Sequence, residues 1–309
     1  MKKLSLEDYA KKYGDALAVG TSCELFEAEG SDYSLPRRNP HTHKYSYGRA
    51  LIIAGCRGYS GAPYLAANAC ERSGAGLTWL MVPESIYSIV ATRCDGAVVT
   101  PLPATTSGGI AEEAIPQVLE ALKKASACVI GPGLGADAET RKLVCTVLHE
   151  ATCPLILDAD GLNACADAPD VLDCVSAPLL ITPHEGEFKR LGGDLSKGRL
   201  AGAFRFCERH PHLTLILKGY GTLICRDASA RVNLTGGPAM AKGGSGDVLS
   251  GILCSLLAQG FEPQFAAGCA VWLHGLSGDL AAGELSEYSV TPGDLIRFLP
   301  RAFKSLNEQ

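Results

Sequence analysis

Gly243-Gly244-Ser245-Gly246-Asp247 is the segment of this chain best suited to chemistry. Three glycines in four residues let successive backbone N–H groups turn inward as a nest. The apolar run Val248-Leu249-Ser250-Gly251-Ile252-Leu253 then supplies a helix whose positive end lies behind them. The natural guest is a phosphate or a developing oxyanion, so Gly243, Gly244, Ser245 and Gly246 form a candidate anion hole. Lys242, directly before the nest, is placed to add a positive charge, and Asp247 stands within reach of whatever the nest holds. The plainer alternative is a turn with Asp247 as a helix cap; the conjunction of acid, nest and lysine favours chemistry. A helix N-terminus stabilises a carboxylate, so the Asp247 pKa is expected to be lowered. Such an acid suits orienting a hydroxyl and taking its proton late in phosphoryl transfer, not abstraction from carbon.

Other segments are open to two readings each. Lys218-Gly219-Tyr220-Gly221-Thr222 is either a hairpin turn or a shelf whose backbone groups and Thr222 meet a ribose or phosphate. Gly131-Pro132-Gly133-Leu134-Gly135 departs from G-x-G-x-x-G spacing, so a dinucleotide fingerprint is unsupported. Gly55-Cys56-Arg57-Gly58-Tyr59-Ser60-Gly61-Ala62 is a further glycine loop, and the absence of G-x-x-x-x-G-K-[ST] excludes a P-loop ATPase. Leu157-Asp158-Ala159-Asp160-Gly161-Leu162-Asn163 sets two carboxylates at a strand end. Its glycine is misplaced for an EF-hand, which leaves a helix cap with a turn, or a magnesium or substrate contact. Thr182-Pro183-His184-Glu185-Gly186-Glu187-Phe188 lacks H-E-x-x-H spacing, so His184 is a ligand contact or a half-exposed histidine without a task.

The elements that must position these residues alternate. Apolar strands are expected at Ala50 to Ala54, Leu77 to Val82, Ala127 to Ile130, Pro154 to Leu157 and Leu179 to Thr182. Helices are expected over Ala62 to Ser73, Ala111 to Lys124, Thr140 to His149 and about Gly198 to Arg209. Thr214 to Leu217, Gly221 to Arg226 and Arg231 to Leu234 read as a meander of antiparallel edge strands. Three helices follow, Val248 to Gln259, Gln264 to Gly283 and Pro292 to Lys304. Near-continuous apolar strands between helices imply an α/β fold, a mostly parallel sheet covered on both faces. Residues 1–45 read as an N-terminal arm, a short helix plus an extended segment, before one domain over 46–309.

Composition bounds the reading further. Of 309 residues, 47% are hydrophobic and 20% charged, which excludes a disordered chain. A net charge of −5 without a basic block argues against nucleic acid as partner. Thirteen scattered cysteines without C-x-x-C fit small buried hydrophobes in a reducing compartment. No apolar run is long enough for a membrane span and the N-terminus lacks an apolar signal core, so a cytoplasmic protein is expected.

Taken in order, these segments resemble the ADP- or ATP-dependent NAD(P)H-hydrate dehydratases of the ribokinase-like superfamily. The resemblance runs from about Pro36 to Leu299 and rests on Gly55 to Ala62, Ser73-Gly74-Ala75-Gly76-Leu77, Gly131 to Gly135, Asp158 to Asn163, Thr182 to Phe188, Lys218 to Thr222 and Gly236 to Gly251. It implies a three-layer α/β/α ribokinase-like fold and a metabolite-repair lyase. Such an enzyme phosphorylates the ring hydroxyl of the S form of hydrated NADH or NADPH and then loses phosphate, so that ADP yields AMP, or ATP yields ADP. It further implies Asp247 as the acid activating that hydroxyl, and Ala62, Gly133, Gly135 and His184 as contacts of the hydrated dinucleotide. Lys218, Gly219, Tyr220, Gly221, Thr222 and Gly246 are implied as contacts of the adenine nucleotide. Magnesium, a homotetramer and a separate epimerase are implied too. The sequence departs from the family at Tyr45, Cys56, Pro63 and Gly237. A related alternative is a superfamily kinase of a vitamin-like alcohol, which shares nest and acid but leaves a stable phosphorylated product.

Overall fold

The computed structural model describes residues 1–15 and 24–307. Their strands are β1 (Lys2–Lys3), β2 (Glu24–Ala28), β3 (Arg49–Ile53), β4 (Leu77–Pro83), β5 (Val98–Leu102), β6 (Ala127–Ile130), β7 (Leu155–Leu157), β8 (Leu179–Ile181), β9 (Leu213–Leu217), β10 (Leu223–Arg226) and β11 (Ser229–Asn233). All join one sheet in the order β1-β2-β11-β10-β9-β8-β7-β6-β3-β4-β5. Strands from β5 across to β9 pair in parallel, whereas β9, β10 and β11 form the expected antiparallel meander. The meander is not the sheet edge, because β2 pairs in parallel with β11. The extended segment expected within residues 1–45 is thus, over Glu24–Ala28, part of the sheet; residues 16–23 of that segment lie outside the described residues.

Strand residues alternate between two cores, as a period of two requires. On β3, Leu51 and Ile53 face one cluster while Ala50 and Ile52 face the other; on β6, Cys128 and Ile130 part from Ala127 and Val129 in the same way. Helices cover both faces. On one side lie α4 (Ile115–Leu122), α5 (Ala138–Glu150) and α8 (Arg199–Arg209); on the other lie α2 (Gly61–Arg72), α9 (Ser245–Ala258), α10 (Pro263–Glu284) and α11 (Pro292–Asn307). The remaining helices are α1 (Leu6–Tyr13), α3 (Glu84–Ala91), α6 (Asp160–Ala164) and α7 (Glu185–Arg190). The single helix expected over Ala111 to Lys124 is instead a 3-10 turn at Glu112–Ala114 followed by α4, whose Pro116 favours a helix start there.

Two features position the site. Strand order switches between the parallel neighbours β3 and β6, with β4 and β5 added on one side and β7 and β8 on the other, which opens a crevice beyond their carboxyl ends. Helix α9 is buried from Val248 through Ala258 and packs on α2, α10 and β6, so its N-terminus is held rigidly over the same end of the sheet. The contact with α2 is made at Gly251, where an added Cβ would lie 2.2 Å from the Ala66 carbonyl oxygen. Gly251→Ala is therefore expected to destabilise the protein by about 1–3 kcal/mol through overpacking. The helix-propensity gain of ~1 kcal/mol does not offset a clash with backbone. Urea unfolding of the two proteins measures the difference, and equal midpoints would contradict the packing described.

Candidate active site

Three strands deliver side chains to one place. Asp158 follows β7, His184 lies three residues past β8, and Lys218 follows β9. The Lys218 ammonium donates to Asp158 Oδ1 at 2.9 Å and stands 3.8 Å from Glu187 Oε2. A Cβ added to Gly246 would lie 3.4 Å from Lys218 Nζ, so this lysine reaches the first turn of α9. Asp158 Oδ2 accepts from Ser250 Oγ at 2.7 Å, one turn into the same helix. Asp158, His184 and Lys218 line a cavity of about 700 Å³ that also takes in Gly219, Tyr220, Thr222, residues 243–247 and His274.

The nest forms, with two adjustments. Gly244 is left-handed (φ 98°), and among the described residues the N–H groups of Gly243, Gly244, Gly246 and Asp247 take no hydrogen bond within the protein. The Ser245 N–H, expected to join them, bonds instead to the Lys242 carbonyl at 3.3 Å. Lys242 itself does not serve the nest: its ammonium donates to the carbonyl oxygens of Tyr288, at 2.7 Å, and Val290. Lys218, sixty residues from Asp158 in sequence, supplies the charge expected of it.

The expected lowering of the Asp247 pKa is overturned. Desolvation, joined by the negative charges of Asp158 and Asp160 and opposed by Lys218, pushes this carboxyl up to about 7. The helix end that motivated the expectation is a partial charge, and here burial beside a full carboxylate outweighs it. Asp158 behaves oppositely. Burial alone would raise it, but the Lys218 charge and the hydrogen bonds it accepts hold it below the ordinary carboxylate range. Lys218 is held above its ordinary value, because Asp158 and Glu187 outweigh the cost of desolvating the ammonium. His274 is neutral, its pKa lowered to about 4 by burial.

The remaining expected site residues fall in two groups. Ala62, Gly133 and Gly135 gather at the β3/β6 crevice. A Cβ on Gly133 would meet the Ala62 methyl at 3.0 Å, and Gly135 N–H donates to Asp160 Oδ2 at 2.9 Å. They stand outside the lining of the 700 Å³ cavity. His184 accepts from Gly186 and Glu187 N–H at Nδ1, at 2.9 and 3.3 Å, so it caps α7; its Nε2 stands 3.4 Å from Glu187 Oε1, and the residue lines the cavity. Thr222 Oγ1 donates to the Gly219 carbonyl at 3.0 Å, which closes the shelf as a tight turn. Gly221 does not line the cavity: it is buried with φ 61°, and a Cβ there would strike the Tyr13 ring at 2.5 Å.

Arg199 shapes the site without a signal in the sequence. Its guanidinium donates to the carbonyl oxygens of Leu217, Lys218 and Tyr220, at 3.3, 3.3 and 2.6 Å, and so anchors the whole shelf to α8. Ala159 is the other surprise. With φ 47° it holds a conformation that alanine disfavours, and this strain sends Asp158 to Lys218 and Asp160 to Gly135. A second cavity, of about 940 Å³, lies at the opposite end of α9 beside Arg37, Arg38 and Arg72. It is larger but far from this chemistry, and its arginines sit where α2 and α9 end, where carbonyl dipoles attract cations.

A mostly parallel sheet carrying this nest, lysine and acid at its carboxyl edge defines a ribokinase-like protein, and the solved neighbours share that fold. The matches with known proteins narrow it. Residues 50–301 match the family described as NAD(P)H-hydrate dehydratase, and the chain belongs to that family. It is 39% identical over 280 residues to the bifunctional NAD(P)H-hydrate repair enzyme of Moorella thermoacetica, covering 89% of this chain and 53% of the relative. The chain thus spans about half the length of such bifunctional relatives. An ADP-dependent (S)-NAD(P)H-hydrate dehydratase of Listeria monocytogenes is 35% identical over 280 residues, 89% of this chain and 94% of the relative. In structure the chain is similar to the ADP/ATP-dependent NAD(P)H-hydrate dehydratase of Bacillus subtilis, co-crystallised with ATP and Mg2+. The TM-score is 0.77 at 31% identity, over 88% of this chain and 95% of that one. No helix among the described residues is long and apolar enough to cross a membrane.

Proposed function

We propose that this protein uses ADP or ATP to dehydrate the S form of hydrated NADH or NADPH. The observation that carries the reading is Lys218 Nζ at the first turn of α9 beside Asp247, within a family of hydrate dehydratases. In this scheme the open N–H groups of the nest and the Lys218 ammonium hold the terminal phosphoryl of the nucleotide. Asp247 accepts the proton of the substrate's ring hydroxyl as that oxygen bonds to phosphorus, and the bond from phosphorus to the departing nucleotide oxygen breaks. The phosphorylated hydrate then loses inorganic phosphate with a ring proton, which restores the dihydronicotinamide. An acid titrating near 7 is matched to that first proton transfer at neutral pH.

The shelf from Lys218 to Thr222, with Gly246, is assigned to the nucleotide. Ala62, Gly133, Gly135 and His184 are assigned to the hydrated dinucleotide at the strand-order switch. Magnesium fits as an ion carried by the polyphosphate: among the described residues no three His, Cys, Asp or Glu side chains gather as a cage, and magnesium bound to phosphates keeps much of its water. No step above passes through it. A cytoplasmic location accords with the described cysteines, which are mostly buried. A homotetramer completes the proposal on family resemblance.

Incubation with hydrated NADH, magnesium and ADP or ATP is expected to return NADH and free phosphate in equal amounts. A stable phosphorylated product would favour the vitamin-like alcohol kinase instead. The pH profile gives a second check. Asp247 is a base only when deprotonated, so kcat/KM is expected to rise as pH increases through about 7 and then level. A flat profile from pH 5 to 8 would remove Asp247 as the proton acceptor.

A further inference from the structure

A buried carboxylate is an unexpected neighbour for a phosphate site, since it repels the guest. Asp158 is 1% exposed, and both of its oxygens are engaged inside the protein, Oδ1 by Lys218 at 2.9 Å and Oδ2 by Ser250 at 2.7 Å. Each oxygen thus already has a partner within the protein. Those two bonds join the end of β7 to the end of β9 and to the first turns of α9. Ser250 is itself fully buried and lies three residues beyond Asp247.

We propose that Asp158 is a positioning residue for phosphoryl transfer, which pins the Lys218 ammonium against the glycine nest and fixes its height above Gly246. The proposal rests on the dehydratase reading given above. A lysine has four rotatable bonds and strong hydration, so an unclamped Lys218 would spread over many positions. Clamped, it presents one charge at one place, as preorganised electrostatic stabilisation requires. The ion pair also leaves the nest with little net positive charge before nucleotide arrives, so Lys218 is ordered without becoming a trap for stray anions.

The same carboxylate acts on Asp247 through space. Of the charged groups around Asp247, Asp158 and Asp160 disfavour its ionisation and Lys218 favours it. On α10 His274 is neutral, and Lys242 is turned to the carbonyls of Tyr288 and Val290. Removing the Asp158 charge therefore makes Asp247 easier to ionise.

Two variants and two readouts test this. In Asp158→Asn, kcat is expected to fall at least ~10-fold with nucleotide KM changed far less, as for lost positioning. The Asp247 titration, followed by NMR of 13C-labelled aspartate carboxyls in nucleotide-free protein, is expected to move down by about one pH unit. Ser250→Ala keeps the charge and loosens the clamp, so kcat is expected to fall with the Asp247 titration unmoved. An Asp158→Asn protein with wild-type kcat and an unmoved Asp247 titration overturns the proposal. Should that variant fail to fold, Ser250→Ala decides, and wild-type kcat there overturns it. A wild-type protein that dehydrates no hydrate would refute the functional reading alone, because the NMR titration needs no substrate.

Discussion

Replacing Asp247 by asparagine is expected to cut kcat by a factor of a hundred to a thousand or more while making the unliganded protein more stable above neutrality. The first effect follows from the loss of the only carboxylate on the cavity wall, among the described residues, that is not already paired within the protein, since Asp158 is committed to Lys218 and Ser250. Losses of this kind correspond to roughly 3 kcal/mol or more of transition-state stabilisation. The second effect follows from the raised titration. A carboxyl that moves from an ordinary 3.8 to about 7 on folding binds its proton more tightly in the folded state. Between about pH 4 and 7 the wild-type protein therefore loses stability as pH rises, and above 7 it carries the whole penalty, up to about 4 kcal/mol. Asparagine cannot ionise and escapes it. Urea unfolding at pH 4 and pH 8 is the measurement: the variant should gain over wild type at pH 8 and gain little at pH 4. Equal stability at pH 8 would mean that the carboxylate is not desolvated, and the base assignment would lose its physical support.

Lys218→Met should be costly in the opposite sense. Methionine matches the aliphatic stem but leaves Asp158 buried beside Asp247 with no counter-charge. Breaking one side of a buried ion pair costs about 3–5 kcal/mol. That loss depends on pH: Asp158 then takes up a proton at a higher pH than in wild type, so the variant should recover stability as the solution is acidified. The double variant Lys218→Met/Asp158→Asn should be more stable than the single one at pH 8, because the stranded charge is gone. Both should lose turnover, as the ammonium is absent in each. If the single variant unfolds at the wild-type denaturant concentration, the 2.9 Å contact contributes nothing to the fold and the account of the site fails.

The nest, its acid and the alternation of strands and helices along the chain were legible because each is local. Glycine spacing and an apolar helix report backbone geometry within a few residues, and β6 was placed at its observed bounds, Ala127–Ile130, from four apolar residues alone. The pairings were not legible. Which lysine meets the nest depends on where β7 and β9 end in space, and Lys242, adjacent in sequence, turns the other way. The Asp247 pKa was misjudged for the same reason: the helix end is visible in the sequence, whereas burial and the nearness of Asp158 are tertiary facts. Elements α3 and β5 drew no expectation, one being only eight residues long and the other carrying Pro101 at the outer edge of the sheet.

The first fifteen residues and β2 lie ahead of the family-matched span, yet they touch the machinery. Tyr9 is almost wholly enclosed, Tyr13 fills the space over Gly221 beneath the Lys218 turn, and Glu24–Ala28 shields the flank of β11. A stretch ahead of residues 50–301 is thus the foundation on which the Lys218 turn stands, and the unit that folds is wider than the span the family model matches.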